Sequence, residues 1–238
     1  MTSRTRDGEG RTGITLTPVD GRHTATFIFL HGLGDQADGW STLLSSLSSS
    51  EEDKTLKFVL PNAPPRPISL NGGMTMPGWS DVFGLSMSDD EDLAGFEASR
   101  SRVRSIIEEE KKLGTPIERI VLGGFSQGGA LALFTALSSP DLALGGVVVL
   151  SSWLPCRSKF TTNVGAEAEK RSLPLLQVHG KDDKVVSFAW GKTSNDYLSK
   201  LVTPAPRFLA VEGMGHHADE EELEAVKHFL RQILGDKH

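Results

Sequence analysis

Six short apolar runs, separated by amphipathic stretches of helical period, most constrain what this sequence can fold into. Residues 24–30, 57–60, 119–122, 145–150, 173–178 and 207–211 are β-prone and almost continuously apolar. A strand with one wet face alternates between apolar and polar, whereas a strand covered on both faces does not. The runs therefore predict parallel strands inside a sheet. Between them, 95–113 separates Phe96, Val103, Ile106, Ile107 and Leu113 from its charges. Residues 128–137 are small and apolar, and 188–201 and 219–234 read as further helices. The last opens on Asp219-Glu220-Glu221-Glu222, carboxylates suited to the positive end of a helix dipole. The alternation predicts an α/β fold, a mainly parallel sheet with helices on both faces. Residues 14–17, stopped by Pro18, predict an antiparallel edge strand.

At 238 residues the chain suits a single domain over 13–238, behind a polar, Gly-rich tail over 1–12 that reads as disordered. The serines of 45–50, followed by Glu51-Glu52-Asp53, read as a helix end entering an exposed loop. Residues 61–83 break the alternation with Pro61, Pro64, Pro65, Pro67, Pro77 and Gly72-Gly73, and predict an ordered loop over one end of the sheet. Loops this long without regular structure are often functional.

The formal charge of −6 argues against nucleic acid or an anionic membrane as a standing partner. One cysteine, Cys156, allows no internal disulfide and fits a reducing compartment. There is no apolar leader, no run long enough for a membrane helix, and no glycine at position 2 to acylate. A cytoplasmic protein with at most transient membrane contact is expected, and a homodimer is left open. Neither a metal set nor a phosphate-binding loop has the required spacing, so no cofactor is expected.

The chemistry centres on Gly124-Phe125-Ser126-Gln127-Gly128. The pattern G-x-S-x-G alone is weak, because glycine and serine are common here. Its setting between the strand at 119–122 and the helix at 128–137 is the strand–turn–helix that a nucleophile elbow needs. Glycines two residues either side of Ser126 avoid a clash in the strained turn, and a serine at a helix start gathers N–H groups for an oxyanion. A serine hydroxyl needs a base, and the base an orienting acid. The strand at 173–178 ends in His179-Gly180-Lys181-Asp182-Asp183, and that at 207–211 in Glu212-Gly213-Met214-Gly215-His216-His217. Both follow strand C-terminal ends, where sites of open α/β sheets gather. Spacing does not choose between Asp182 and Asp183, or between His216 and His217. His23, His228 and His238 read as exposed or boundary residues, and His179 as a local hydrogen-bonding residue. His31 opens a Gly-rich turn able to supply a second oxyanion N–H. Cys156 lacks elbow glycines and is set aside as a nucleophile.

At these motifs the chain resembles the acyl-protein thioesterase and lysophospholipase group of carboxylesterases, over roughly residues 24–234. The matching segments are 29–35, 60–64, 76–81, 123–131, 150–155 and 212–216. The resemblance implies Ser126 as nucleophile, Asp183 as acid and His216 as base, with backbone N–H groups of Leu33 and Gln127 as oxyanion donors. It implies an acyl groove offered by Ile68, Leu70, Met74 and Met76, with Trp79, Phe83 and Trp153 nearby. The implied substrate is an S-acylated protein. A lysophospholipid or short-chain ester is the alternative within the same chemistry, and a non-catalytic acyl-binding protein the alternative outside it. Three departures stand out: Val185-Val186-Ser187 after the acid, the doubled His216-His217, and no N-terminal cysteine for self-lipidation.

Overall fold

The computed structural model describes residues 2–6, 12–18, 21–48, 55–161 and 170–235. The strands are β1 (Thr2–Arg6), β2 (Thr12–Leu16), β3 (Ala25–Leu30), β4 (Leu56–Pro61), β5 (Pro65–Ile68), β6 (Met74–Pro77), β7 (Ile120–Phe125), β8 (Gly146–Leu150), β9 (Arg171–Ser172), β10 (Leu175–Gly180), β11 (Val202–Thr203) and β12 (Arg207–Val211). The helices are α1 (Ala37–Ser45), α2 (Leu93–Lys112), α3 (Gln127–Leu137), α4 (Ser158–Thr161), α5 (Phe188–Leu201) and α6 (Glu220–Leu234). One eight-stranded sheet runs in the order β1-β2-β4-β3-β7-β8-β10-β12. Strands β4 through β12 of that sheet are parallel. At one edge β2 joins β4 antiparallel, as expected for 14–17.

Burial explains the continuous apolar runs. In β3, Phe27 and Phe29 face Trp40, Leu44 and Phe229, so α1 and α6 cover that side. Ile28 and Leu30 face Val103, Ile107 and Leu131, so α2 and α3 cover the other, with Leu198 of α5. Helix α3 is buried from Gln127 to Ala136, which accounts for its lack of a polar face. After β3 the chain moves to β4 on one side, and after β7 to β8 on the other. The loops leaving β3 and β7 therefore diverge, opening a crevice at the carboxyl ends of the two central strands.

Three elements differ from expectation. The expected disordered tail contains β1, antiparallel to β2. Its sequence, Thr-Ser-Arg-Thr-Arg, has no apolar residue to announce a strand, because an edge strand needs only backbone partners. Helix α1 was not expected as a defined element. Its end at Ser45 and the 3-10 turn Ser46–Ser48 agree with a helix ending in the serine run, while residues 49–53 and His238 lie outside the described residues. The expected loop over 61–83 contains the antiparallel hairpin β5–β6. Gly78 N–H donates to Pro64 O, so by alternation the pairs Pro65–Pro77 and Pro67–Thr75 fall at non-hydrogen-bonded positions. Prolines there forfeit no ladder bond.

Candidate active site

Ser126 links β7 to α3 with φ 52° and ψ −122°. A positive φ at a residue other than glycine is strained and persists only where its surroundings fix it. Here Ser126 N–H donates to Leu150 O at 2.9 Å, Ser126 O accepts from Ala130 N–H at 3.0 Å, and Ser152 Oγ donates to the same oxygen at 2.6 Å. A Cβ on Gly124 would lie 2.4 Å from the Gly128 carbonyl carbon, and one on Gly128 would lie 2.0 Å from Leu30 O. The glycine requirement is therefore a matter of backbone packed on backbone.

The turns after β10 and β12 bring the acid and base to this serine. His216 Nδ1 lies 2.7 Å from Asp183 Oδ2, and Nε2 lies 3.0 Å from Ser126 Oγ. A carboxylate only accepts, so Nδ1 carries the proton and Nε2 accepts from the serine hydroxyl. Asp183 Oδ1 accepts the N–H groups of Val185 and Val186 at 2.8 and 2.9 Å. Burial pushes the Asp183 carboxyl upward, but the His216 bond and those two N–H groups outweigh it and hold it below the usual range. Phe125 packs against the His216 ring at 4.8 Å. Asp183 is buried whereas Asp182 is exposed, and His217 turns to solvent while His216 faces the serine. Burial lowers the pKa of His179, whose Nε2–H donates to Val186 O at 2.8 Å, helping to fix the same turn. Burial pushes the Cys156 thiol up to about 12, which disarms it as a nucleophile.

The turn after β3 lies beside the serine: a Cβ on Gly32 would sit 3.5 Å from Ser126 Cβ. Leu33 belongs to this turn, and Gln127 opens α3, where the first N–H groups have no intrahelical partner. His31 is buried, with Nδ1–H donating to Gly32 O at 2.7 Å and Nε2 accepting from Ala63 N–H at 3.0 Å. Burial lowers its pKa, so it is a neutral brace for the turn. Gly34 N–H donates to Pro77 O at 2.8 Å, which seats the β5–β6 hairpin against it.

The seven expected groove residues separate by exposure. Leu70, Met74 and Phe83 are exposed, Met76 is half-buried over the Gly34 turn, and Trp153 is nearly buried. Ile68 and Trp79 are fully buried and do not line an open groove. Trp79 Nε1–H donates to His31 O at 2.8 Å, which draws the indole inward. Sequence reasoning missed three supporting side chains. Gln127 Oε1 accepts from Trp79 N–H, and its amide nitrogen donates to Ser80 O, both at 2.9 Å, tying the elbow to the segment that follows the hairpin. Glu91 accepts from Trp153 Nε1–H at 2.9 Å and Cys156 N–H at 2.6 Å. Ser152 braces the elbow as described. Nothing in the spacing of these three marks them, since each partner is distant in sequence.

No group of three metal-ligating side chains and no helix long and apolar enough to cross a membrane occurs among the described residues. The model of the phospholipase/carboxylesterase family matches residues 15–234. Acyl-protein thioesterase 1 homolog 1 of Dictyostelium discoideum is 40% identical over 89% of this chain and 92% of its own length. Acyl-protein thioesterase 1 of Neurospora crassa is 39% identical over 92% and 91% respectively. The crystal structure of acyl-protein thioesterase 2 of Zea mays superposes with a TM-score of 0.79 at 32% identity, covering 93% of this chain and 98% of that one. With its central parallel sheet and helices on both faces, the chain belongs to the phospholipase/carboxylesterase family of α/β-hydrolases and is an enzyme of ester or thioester hydrolysis.

Proposed function

We propose that the protein cleaves fatty-acyl thioesters of S-acylated proteins through a Ser126–His216–Asp183 triad and an acyl-enzyme intermediate. The observation that carries this reading is the chain of contacts from Asp183 to His216 to Ser126, at 2.7 and 3.0 Å. Ser126 Oγ attacks the acyl carbonyl while His216 Nε2 takes its proton. The new C–O bond forms as the carbonyl π pair moves to oxygen, and N–H groups of Leu33 and Gln127 receive that charge. The tetrahedral species collapses, the C–S bond breaks, and His216 returns the proton to the leaving thiolate. Water then repeats the sequence on the acyl-enzyme and releases the fatty acid. Asp183 keeps its charge throughout and steadies the imidazolium. Each oxyanion donor contributes about 3 kcal/mol to such a step. No cofactor enters this scheme.

The thioester preference is supported by relatives named acyl-protein thioesterases at about 40% identity. The family description also keeps lysophospholipid and short-chain ester substrates as a second reading. A cytoplasmic location, with at most transient membrane contact, belongs to the same proposal. The deciding experiment compares S-acylated peptides, lysophospholipid and small esters of graded acyl length, wild type against Ser126→Ala. Rising kcat/KM with acyl length on the thioester, about 0.8 kcal/mol per buried methylene, is expected. Hydrolysis of lysophospholipid but of no S-acylated peptide would move the assignment to the second reading.

A further inference from the structure

Eight large apolar side chains are exposed among the described residues, and six of them come from one stretch: Leu70, Met74, Phe83, Leu85, Met87 and Leu93. Leu70 N–H donates to Val82 O at 2.8 Å, so the hairpin tip lies against the following loop. Val82 and Glu91 pair as a bridge, folding residues 82–91 back on themselves, and Glu91 anchors that loop to Trp153 and Cys156. Through Met76 over Gly34 the same hairpin reaches the turn beside Ser126. The exposed apolar residues thus sit along one rim, a hairpin and loop joined to each other and tied through Met76 to the turn beside Ser126. An apolar rim of this kind on a protein surface calls for a partner.

Charge says which partner. Residues 67–99 contain no Lys, Arg or His, and six carboxylates. Five are engaged within the fold, Asp89 among them only through Ser86 N–H, which donates to its Oδ2 at 2.8 Å within the exposed loop. Asp81 accepts from Ser69, Asp92 caps α2, Glu91 accepts from Trp153 and Cys156, and Glu97 pairs with Arg100 and Lys159. Asp89 and Asp90 stand exposed at the loop tip, beside Leu85 and Met87. An anionic leaflet attracts Lys and Arg and repels carboxylates, so this rim is wrongly charged for it. A polypeptide carrying cations matches it. Acyl anchors are commonly paired with a basic patch, because one chain alone holds weakly to a membrane.

We propose that the rim docks the polypeptide flanking the acylated cysteine, and that it selects flanks rich in Lys and Arg with apolar residues between them. The proposal rests on the acyl-thioester reading above and adds the substrate's flanking sequence to it. Rim charges of this kind act chiefly on association rate and are weakened by salt.

The test uses two peptides with the same S-palmitoyl cysteine, one flanked by lysines and leucines, the other by glutamates and leucines. Binding to the full-length Ser126→Ala protein is read by fluorescence anisotropy, and turnover by the wild type is read separately. The basic peptide should bind about five-fold or more tighter at low salt. D89N/D90N should remove most of that preference while leaving hydrolysis of a small soluble ester unchanged. Salt of about 0.5 M should shrink it likewise. Leu85→Ser should weaken both peptides. Equal binding of the two peptides, or a preference untouched by D89N/D90N, overturns the proposal. So does tighter association with phosphatidylserine vesicles than with the basic peptide. If neither peptide is turned over, the thioesterase reading fails, and the binding comparison still decides the docking proposal.

Discussion

Ser126 holds a backbone conformation that side chains avoid, and its neighbours show why the strain is tolerated: the two flanking glycines let three backbone segments meet around it. Gly128→Ala places a methyl 2.0 Å from Leu30 O, where no flexible side chain can yield. Loss of soluble protein, or destabilisation beyond about 4 kcal/mol by urea unfolding, is the expected outcome. Ser126→Ala should instead keep the wild-type melting temperature and lose about 10⁴-fold or more in kcat. Asp183→Asn should lose about 10⁴-fold with the fold intact, because the amide no longer enforces the Nδ1–H form of His216. Asp182→Ala and His217→Ala should retain most activity in the same assay. These paired predictions expose what spacing could not resolve. Consecutive turn residues point in opposite directions, so either aspartate and either histidine fits a strand-end motif. Burial separates them, and burial of a turn residue depends on tertiary packing that no local pattern encodes.

At the scale of elements, strands buried on both faces were legible because both core layers demand apolar residues from them, as Phe27, Ile28, Phe29 and Leu30 show. Helix α5 begins and ends where its pattern does, with Ser187 capping it by accepting from Trp190 N–H. The hairpin β5–β6 was not legible, because its prolines occupy the very positions that need no N–H. Helix α1 was obscured by its short length. Helix α6 carries a feature that composition hides. Its acidic first turn reads as a solvated cap, yet Glu222 is fully buried, and neither carboxyl oxygen has a hydrogen-bond partner within the described residues. Burial, with the nearby Asp219, pushes its pKa to about 8. The folded state therefore keeps a proton that the unfolded chain, with an ordinary glutamate pKa of 4.5, releases. Stability from this group is full below pH 4.5, falls as pH rises, and is lost by about pH 8. The decline approaches about 1.4 kcal/mol per pH unit inside that window. Glu222→Gln cannot ionise, so urea unfolding at pH 5, 6.5 and 8 should show the wild type losing stability relative to it. Parallel curves for the two proteins would contradict the buried neutral carboxyl.

Across the whole molecule, chemistry and anchorage occupy opposite ends of the sheet. Ser126, Asp183 and His216 follow the carboxyl ends of β7, β10 and β12. Toward the other end, Lys57 near the start of β4 reaches Glu110 near the close of α2 at 2.7 Å, both buried. Thr26 Oγ1 on β3 donates to the second Glu110 oxygen at 2.8 Å. This cluster fixes the longest helix to two neighbouring strands. A buried pair of this kind gains little over an apolar replacement, but removing one partner strands the other charge. Lys57→Met should therefore cost about 3–5 kcal/mol, and K57M/E110L should recover most of it, because neither charge remains to be solvated. Urea unfolding of the two variants reads both effects. Folded Lys57→Met, assayed well below its melting temperature, should keep the kcat of the wild type, because no triad residue touches the cluster. Ser99 of α2 donates its Oγ–H to Trp79 O, and Trp79 N–H donates to the Gln127 side chain, so a parallel loss of kcat in the folded variant would mean that α2 transmits its anchorage along this route to the elbow. Equal destabilisation by the single and double variants would mean that packing, and not an unpaired Glu110, sets the cost.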